Sequence, residues 1–255
     1  MKNIITTVAL LAAGTALANA TPVAEKDMFS SEYSWTTGAG RSGRNTFLIN
    51  PSNKTCTLEN SNWSQAYAYH QFSAPLTIDA GETLNFSFDM NVNHLSGSFT
   101  FTLQSDNLSI AMGKNYDETS FRYGKTDNVS NSVYQFKETS SGQMGKISSS
   151  QTVSNFTLSQ GSKFTVVGQI SAPSSTSENY TLKLTVGGEE SSFDLGTASF
   201  SLKKVGFFGD GAQNVGTNVT FSDLKVSVIP EPSAFGLLAG LGALALVGAR
   251  RRRRK

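Results

Sequence analysis

Apolar and polar residues alternate with a period of two along most of this chain, and that alternation predicts β-strands. The clearest run is Leu84-Asn85-Phe86-Ser87-Phe88-Asp89-Met90-Asn91-Val92, with its apolar residues on one face and its polar residues on the other. A strand points successive side chains to opposite faces, so the run describes a half-buried strand. After the polar turn His94-Leu95-Ser96-Gly97, the stretch Phe99-Thr100-Phe101-Thr102-Leu103 repeats the pattern. Together the two runs read as a β-hairpin. Phe164, Val166, Gly168 and Ile170 alternate, as do Leu182, Leu184 and Val186. Gly187-Gly188 then turns the chain toward Phe193 and Leu195, a second hairpin. Val219-Thr220-Phe221 and Leu224-Lys225-Val226-Ser227-Val228 alternate out of phase with each other, which predicts a β-bulge near Ser222-Asp223. Weaker strands are expected over 45–49, 55–58, 66–72, 109–112, 133–136 and 155–158.

No segment between Pro22 and Pro230 sustains a 3.6-residue period. Many short strands with polar turns and no helix favour two packed antiparallel sheets, a β-sandwich of jelly-roll type. The order Lys204-Val205-Gly206-Phe207-Phe208-Gly209-Asp210-Gly211, a loop, then Val219-Thr220-Phe221-Ser222-Asp223-Leu224-Lys225-Val226, joins the 82–112 region in a pattern that resembles laminin-G and concanavalin A-like jelly rolls. That resemblance implies an all-β fold and says nothing about activity.

The two ends of the chain break the alternation. Lys2, an apolar stretch from Ile4 to Leu17 and the small-residue triplet Ala18-Asn19-Ala20 have the form of a signal peptide cut by signal peptidase after Ala20. At the other end stand Pro230-Glu231-Pro232-Ser233 and an uncharged run, AFGLLAGLGALALVGA, over 234–249. Arg250, Arg251, Arg252, Arg253, Arg254 and Lys255 follow. As a helix the apolar run rises ~1.5 Å per residue and spans ~24 Å, against a hydrocarbon core of ~30 Å. It is therefore a short transmembrane helix, and the cations behind it stay on the cytoplasmic side. This order resembles the PEP-CTERM sorting signal, the substrate of exosortases, which are membrane-embedded protease-transpeptidases. The resemblance implies that Pro230, Glu231, Pro232 and Ser233 form the recognition element, that the helix positions it, and that the six cations stop transfer. Three parts are expected: signal peptide 1–20, β-sandwich 21–229 and sorting signal 230–255.

The ends also distort the charge. The whole chain holds 21 basic and 19 acidic residues, a net +2. Without Lys2, the six terminal cations and Glu231, the body keeps 14 basic against 18 acidic residues, a net −4. A mildly acidic body removes the electrostatic support for nucleic-acid binding. Cys56 is the single cysteine, so no intrachain disulfide staples the fold, and it is expected as a small buried apolar residue.

Candidate chemistry is sparse. His70 and His94 are the two histidines, and no G-x-S-x-G motif accompanies them. Glycoside hydrolysis needs two carboxylates ~5–10 Å apart, and Asp89, Asp117-Glu118 and Glu189-Glu190 form no such pattern along the strands. Gly209-Asp210-Gly211-Ala212-Gln213-Asn214 offers oxygen ligands that suit calcium. The same residues suit a turn, and no cofactor is expected. Trp35, Trp63, Tyr67, Tyr69 and Tyr116 are the aromatic platforms a carbohydrate would use. The sequence is thus expected to encode an exported, non-enzymatic surface or extracellular-matrix protein, held in the inner membrane during export and then processed. A carbohydrate-binding envelope protein in contact with extracellular polysaccharide is the alternative, and a glycoside hydrolase-like enzyme the second alternative.

Overall fold

A computed structural model describes residues 27–39, 46–60, 65–115, 118–127, 136, 147, 151–173, 179–196, 199–210 and 216–229. Both ends, 1–26 and 230–255, lie outside the described residues. So do Trp63, Tyr116, Asp117 and Gly211–Asn214, and all of the expected strand 133–136 except Phe136. Among the described residues no helix is long and apolar enough to cross a membrane.

The described chain is all strand and connection. In order the strands are β1 (Thr36–Ala39), β2 (Thr46–Asn50), β3 (Thr55–Asn60), β4 (Gln65–Thr77), β5 (Thr83–Val92), β6 (Ser98–Gln104) and β7 (Ser109–Lys114), followed by β8 (Ser120–Thr126), β9 (Gln151–Thr157), β10 (Lys163–Ser171), β11 (Tyr180–Val186), β12 (Glu189–Gly196), β13 (Ser201–Asp210) and β14 (Gly216–Ile229). They form two seven-stranded sheets. The first runs β1-β4-β13-β6-β7-β8-β9 and the second β12-β11-β10-β5-β14-β3-β2. The expected antiparallel sandwich is what the chain forms.

One expected hairpin is not a hairpin. β5 pairs with β10 in the second sheet, whereas β6 pairs with β13 and β7 in the first. The 93–97 turn therefore carries the chain across the core from one sheet to the other. Both strands alternate because both turn an apolar face inward, and those faces meet: Phe88 and Phe101 have ring centroids 4.6 Å apart, and Phe86 and Phe101 5.6 Å. Period-two patterning reveals which face is buried and leaves the pairing partner open. The second expected hairpin does form, β11 with β12, and Gly187 and Gly188 take the positive φ of 57° and 94° that so tight a turn requires. The phase change in β14 occurs at Asp223, where φ is 53° and the buried face passes from Phe221 to Leu224.

The core centres on Phe207 of β13. Its ring lies within 4.2–6.3 Å of Phe29, Trp35, Phe47, Phe88, Phe101 and Phe221, drawn from both sheets and from the segment ahead of β1. That segment is fixed by backbone and side chain: Met28 N donates to Leu224 O at 2.7 Å, and Trp35 Nε1 donates to Met28 O at 2.8 Å. Cys56 is fully buried in the same core, and burial pushes its thiol well above the usual range.

Candidate binding face

Register fixes what the first sheet shows on its outer side. Phe99, Phe101 and Leu103 of β6 enter the core, so Ser98, Thr100, Thr102 and Gln104 point away from it. Across the sheet, cross-strand partners share a face. Thr102 is opposite Gly206, which is opposite Tyr69; Thr100 is opposite Phe208, which is opposite Tyr67. Gln104, Lys204 and Gln71 make the next row, and Ser98, Asp210 and Gln65 the row at the other end.

This outer face has its own small aromatic cluster. Tyr67 and Tyr69 stack at 6.2 Å, Tyr69 and Phe136 at 5.0 Å, and Phe136 lies nearly parallel to Phe208 at 4.6 Å and 5°. Lys204 Nζ stands 4.9 Å above the Tyr69 ring, a cation–π contact. Gly206 makes this arrangement sterically feasible, because a Cβ there would come within 2.3 Å of Ala68 O and 2.6 Å of the Phe136 ring. Asn115 and Ile147 add a reciprocal pair: Asn115 Nδ2 donates to Ile147 O at 3.1 Å, and Ile147 N donates to Asn115 Oδ1 at 2.9 Å.

Tyr67 and Tyr69 are half-buried and Gln71 is exposed, while Thr100, Thr102 and Phe208 are buried. Among the described residues Thr102 Oγ1 has no hydrogen-bond partner. Burial raises the Asp210 carboxyl above its ordinary value, and a hydrogen bond from Gln65 pulls it partly back. The face thus combines stacked rings, one ammonium, one carboxylate, amides and hydroxyls. These groups suit recognition of a ring with an apolar face and a polar edge.

The platforms expected from sequence separate. Tyr67 and Tyr69 come together here, whereas Trp35 packs against the core with Phe29 and Phe207. Phe136, Phe208, Lys204 and Thr102 were not anticipated as members of such a site. Phe207-Phe208 did carry a signal, because adjacent strand residues must face opposite ways and one ring had to lie outside the core.

The histidines are locally engaged. His70 lies inside β4, and its Nδ1 donates to Ser34 O at 2.8 Å between the rings of Tyr33 and Phe72. His94 Nδ1 accepts from both Ser96 N, at 3.3 Å, and Ser96 Oγ, at 2.7 Å, inside one turn. A base whose lone pair is shared with the backbone N–H of its own turn is a turn element before it is a catalyst. The carboxylates are scattered. Asp89 accepts from Thr165 Oγ1 at 2.6 Å on the outside of the second sheet, Glu190 pairs with Lys183 at 2.8 Å, and Glu118 with Arg122. Among the described residues no three His, Cys, Asp or Glu side chains gather where a metal could bind.

The fold is an antiparallel two-sheet jelly roll, and solved structures share it. A structure reported with endo-acting O-glycanases, which prominent members of the human gut microbiota express to initiate mucin breakdown, superposes with a TM-score of 0.51 at 8% identity over 82% of this chain and 99% of that one. Arcelin-5, a lectin-like defense protein from Phaseolus vulgaris, follows at 0.44 and 12% over 80% and 96%. A sialidase gives 0.48 and 12% over 84% of this chain but only 19% of its own length, so the chain spans about a fifth of that enzyme. At these identities the likeness concerns the fold. No curated protein matches the sequence. The particular feature that places the chain is at its end: residues 228–254 match the PEP-CTERM protein-sorting motif, a signal for export and envelope sorting.

Proposed function

We propose that this chain is an exported, non-enzymatic protein of the cell envelope, surface or extracellular matrix, whose tail is held in the inner membrane and then processed by an exosortase. The observation that carries the reading is the motif match over 228–254, which begins as β14 ends at Ile229. Pro230-Glu231-Pro232 follows that strand directly, and signal peptidase would act at the other end, after Ala20. Fractionation of exosortase-positive and exosortase-deficient cells tests this. Shortened protein outside the inner membrane is expected only in the first strain, and full-length protein persisting in the inner membrane of both would overturn it.

The outer face of the first sheet favours a second reading, carbohydrate binding. Two half-buried tyrosines, a cation and an exposed amide on a rigid sheet form a surface that a sugar chain can lie against. That face offers Asp210 as its single carboxylate in the rows built from β4, β13 and β6. Glycoside hydrolysis by an acid and a base or nucleophile needs two. In these rows the groups present suit holding a glycan. Retention of the full-length protein on a polysaccharide array, with and without calcium, is the measurement. Binding lost on Tyr67→Ala and Tyr69→Ala is expected, and no retention on any glycan would rule the reading out.

A further inference from the structure

We propose that the slot bounded by Tyr69 and Phe208 and floored by Gly206 and Thr102 is a binding slot for one pyranose ring, and that Phe136 occupies it in competition with that ring; this rests on the carbohydrate-binding reading. Phe136 fills the slot as a flat ring would, 4.6 Å from Phe208 and 5.0 Å from Tyr69. Gly206 beneath it has no room for a Cβ. Thr102, directly across the ladder from Gly206, is fully buried, and its hydroxyl has no partner among the described residues. A buried hydroxyl without a partner is costly. A phenyl ring satisfies the aromatic walls and leaves the hydroxyl unpaired. A pyranose satisfies both, laying its C–H face on the rings and turning a hydroxyl toward Thr102 Oγ1. Lys204 and Gln71, in the neighbouring row, stand where further hydroxyls of the same sugar chain would pass.

The test uses full-length protein in a detergent without a sugar headgroup, probed with glucose, galactose, mannose and N-acetylglucosamine by saturation-transfer NMR, with thermal unfolding as the folding control. Phe136→Ala is expected to bind at least one of them about tenfold more tightly than the unaltered protein, the factor for one well-made hydrogen bond. Adding Thr102→Val, which keeps the shape and removes the hydroxyl, is expected to cancel that gain. Phe136→Leu, which removes the flat ring and keeps most of the apolar bulk, serves if the alanine variant unfolds, and an intermediate gain is expected. An equal gain with and without Thr102→Val overturns the pyranose assignment, because an apolar cavity alone then explains binding. Sugar binding that depends on Tyr67 and Tyr69 yet is unchanged by either Phe136 substitution overturns the slot and leaves the carbohydrate reading standing. No sugar bound by any variant overturns both.

Discussion

Replacing Phe207 by alanine tests whether one ring organises the sandwich. The side chain is fully buried, and six aromatic rings from both sheets and the N-terminal segment lie within 6.3 Å of it. Buried Phe→Ala changes cost about 3–5 kcal/mol, and the figure grows when the site cannot collapse. Here β13 is bonded on both sides, to β4 and β6, so the backbone around the cavity cannot move inward. We expect a loss of about 4–5 kcal/mol, a large share of the roughly 5–15 kcal/mol that holds an ordinary domain together. For a domain of this size that lowers Tm by roughly 8–20 °C. Phe208→Ala is the internal control. It is the next residue and equally buried, but it contacts the small outer cluster with Phe136 instead of the core. Its cost should be nearer 3 kcal/mol, the low end of the same range. Equilibrium unfolding in urea, followed by tyrosine and tryptophan fluorescence of the full-length protein, measures both. A Phe207→Ala loss below about 2 kcal/mol, or one no larger than that of Phe208→Ala, would refute the assignment of the core to this ring.

Gly206→Ala should destabilise by about 2 kcal/mol in the same assay, because the new methyl meets the backbone oxygen of Ala68 at 2.3 Å and a bonded neighbouring strand cannot yield without breaking its ladder. Asp210→Asn should make the protein more stable near neutral pH and leave it unchanged in strong acid. A carboxyl raised by burial binds its proton more tightly folded than unfolded, so the wild-type protein loses stability as pH rises from the unfolded value of 3.8 through the raised one, and the amide removes that loss. Unfolding curves from pH 3 to 8 decide it, and parallel pH profiles for the two proteins would contradict the burial argument. Cys56, fully buried with its thiol raised, should resist iodoacetamide in the native protein and react at the rate of unfolding in denaturant, as read by mass spectrometry. Truncation after Ile229 should leave the unfolding midpoint of the body unchanged, whereas truncation after Ser222, which removes buried Leu224, should abolish the cooperative transition.

What could be read from the sequence was the burial pattern. Alternation in Leu84–Val92 and Phe99–Leu103 identified two strands with one apolar face each, and both faces are in the core. It could not say that the strands sit in opposite sheets, because alternation is the same whether two apolar faces lie side by side or look at each other across 10 Å. Length and turn chemistry did decide the Gly187-Gly188 hairpin, where only a tight turn fits between the runs. β1 went unseen because Thr36-Thr37-Gly38-Ala39 has no apolar face to alternate, being held by its pairing to β4. β8 had the signal in Phe121 and Tyr123, two positions short of a convincing run. Of the binding face, Tyr67 and Tyr69 were legible as ring-bearing positions. Their partners were not, since Lys204, Phe208, Thr102 and Phe136 reach them only through strand pairings and contacts of long sequence separation.

The placement of β14 bears on how one chain can combine a stable body with the tail processing proposed above. β14 lies between β5 and β3, inside the second sheet and not at its edge. Val219, Phe221 and Leu224 are fully buried, Val226 and Val228 are partly buried against the core, and Ile229 is 46% exposed. Burial therefore fades along the strand toward the point where the prolines of the motif begin. The first half of β14, Gly216 to Ser222, is paired to β3, and Leu224 O accepts from Met28 N, so the strand is tied into the sheet ahead of the tail. Every core residue among those described lies before the motif's prolines, so a cut beyond Ile229 spares them all. With a single, buried cysteine, the sandwich depends on its aromatic core. Under the proposed processing, sorting and folding of the body are then separate events.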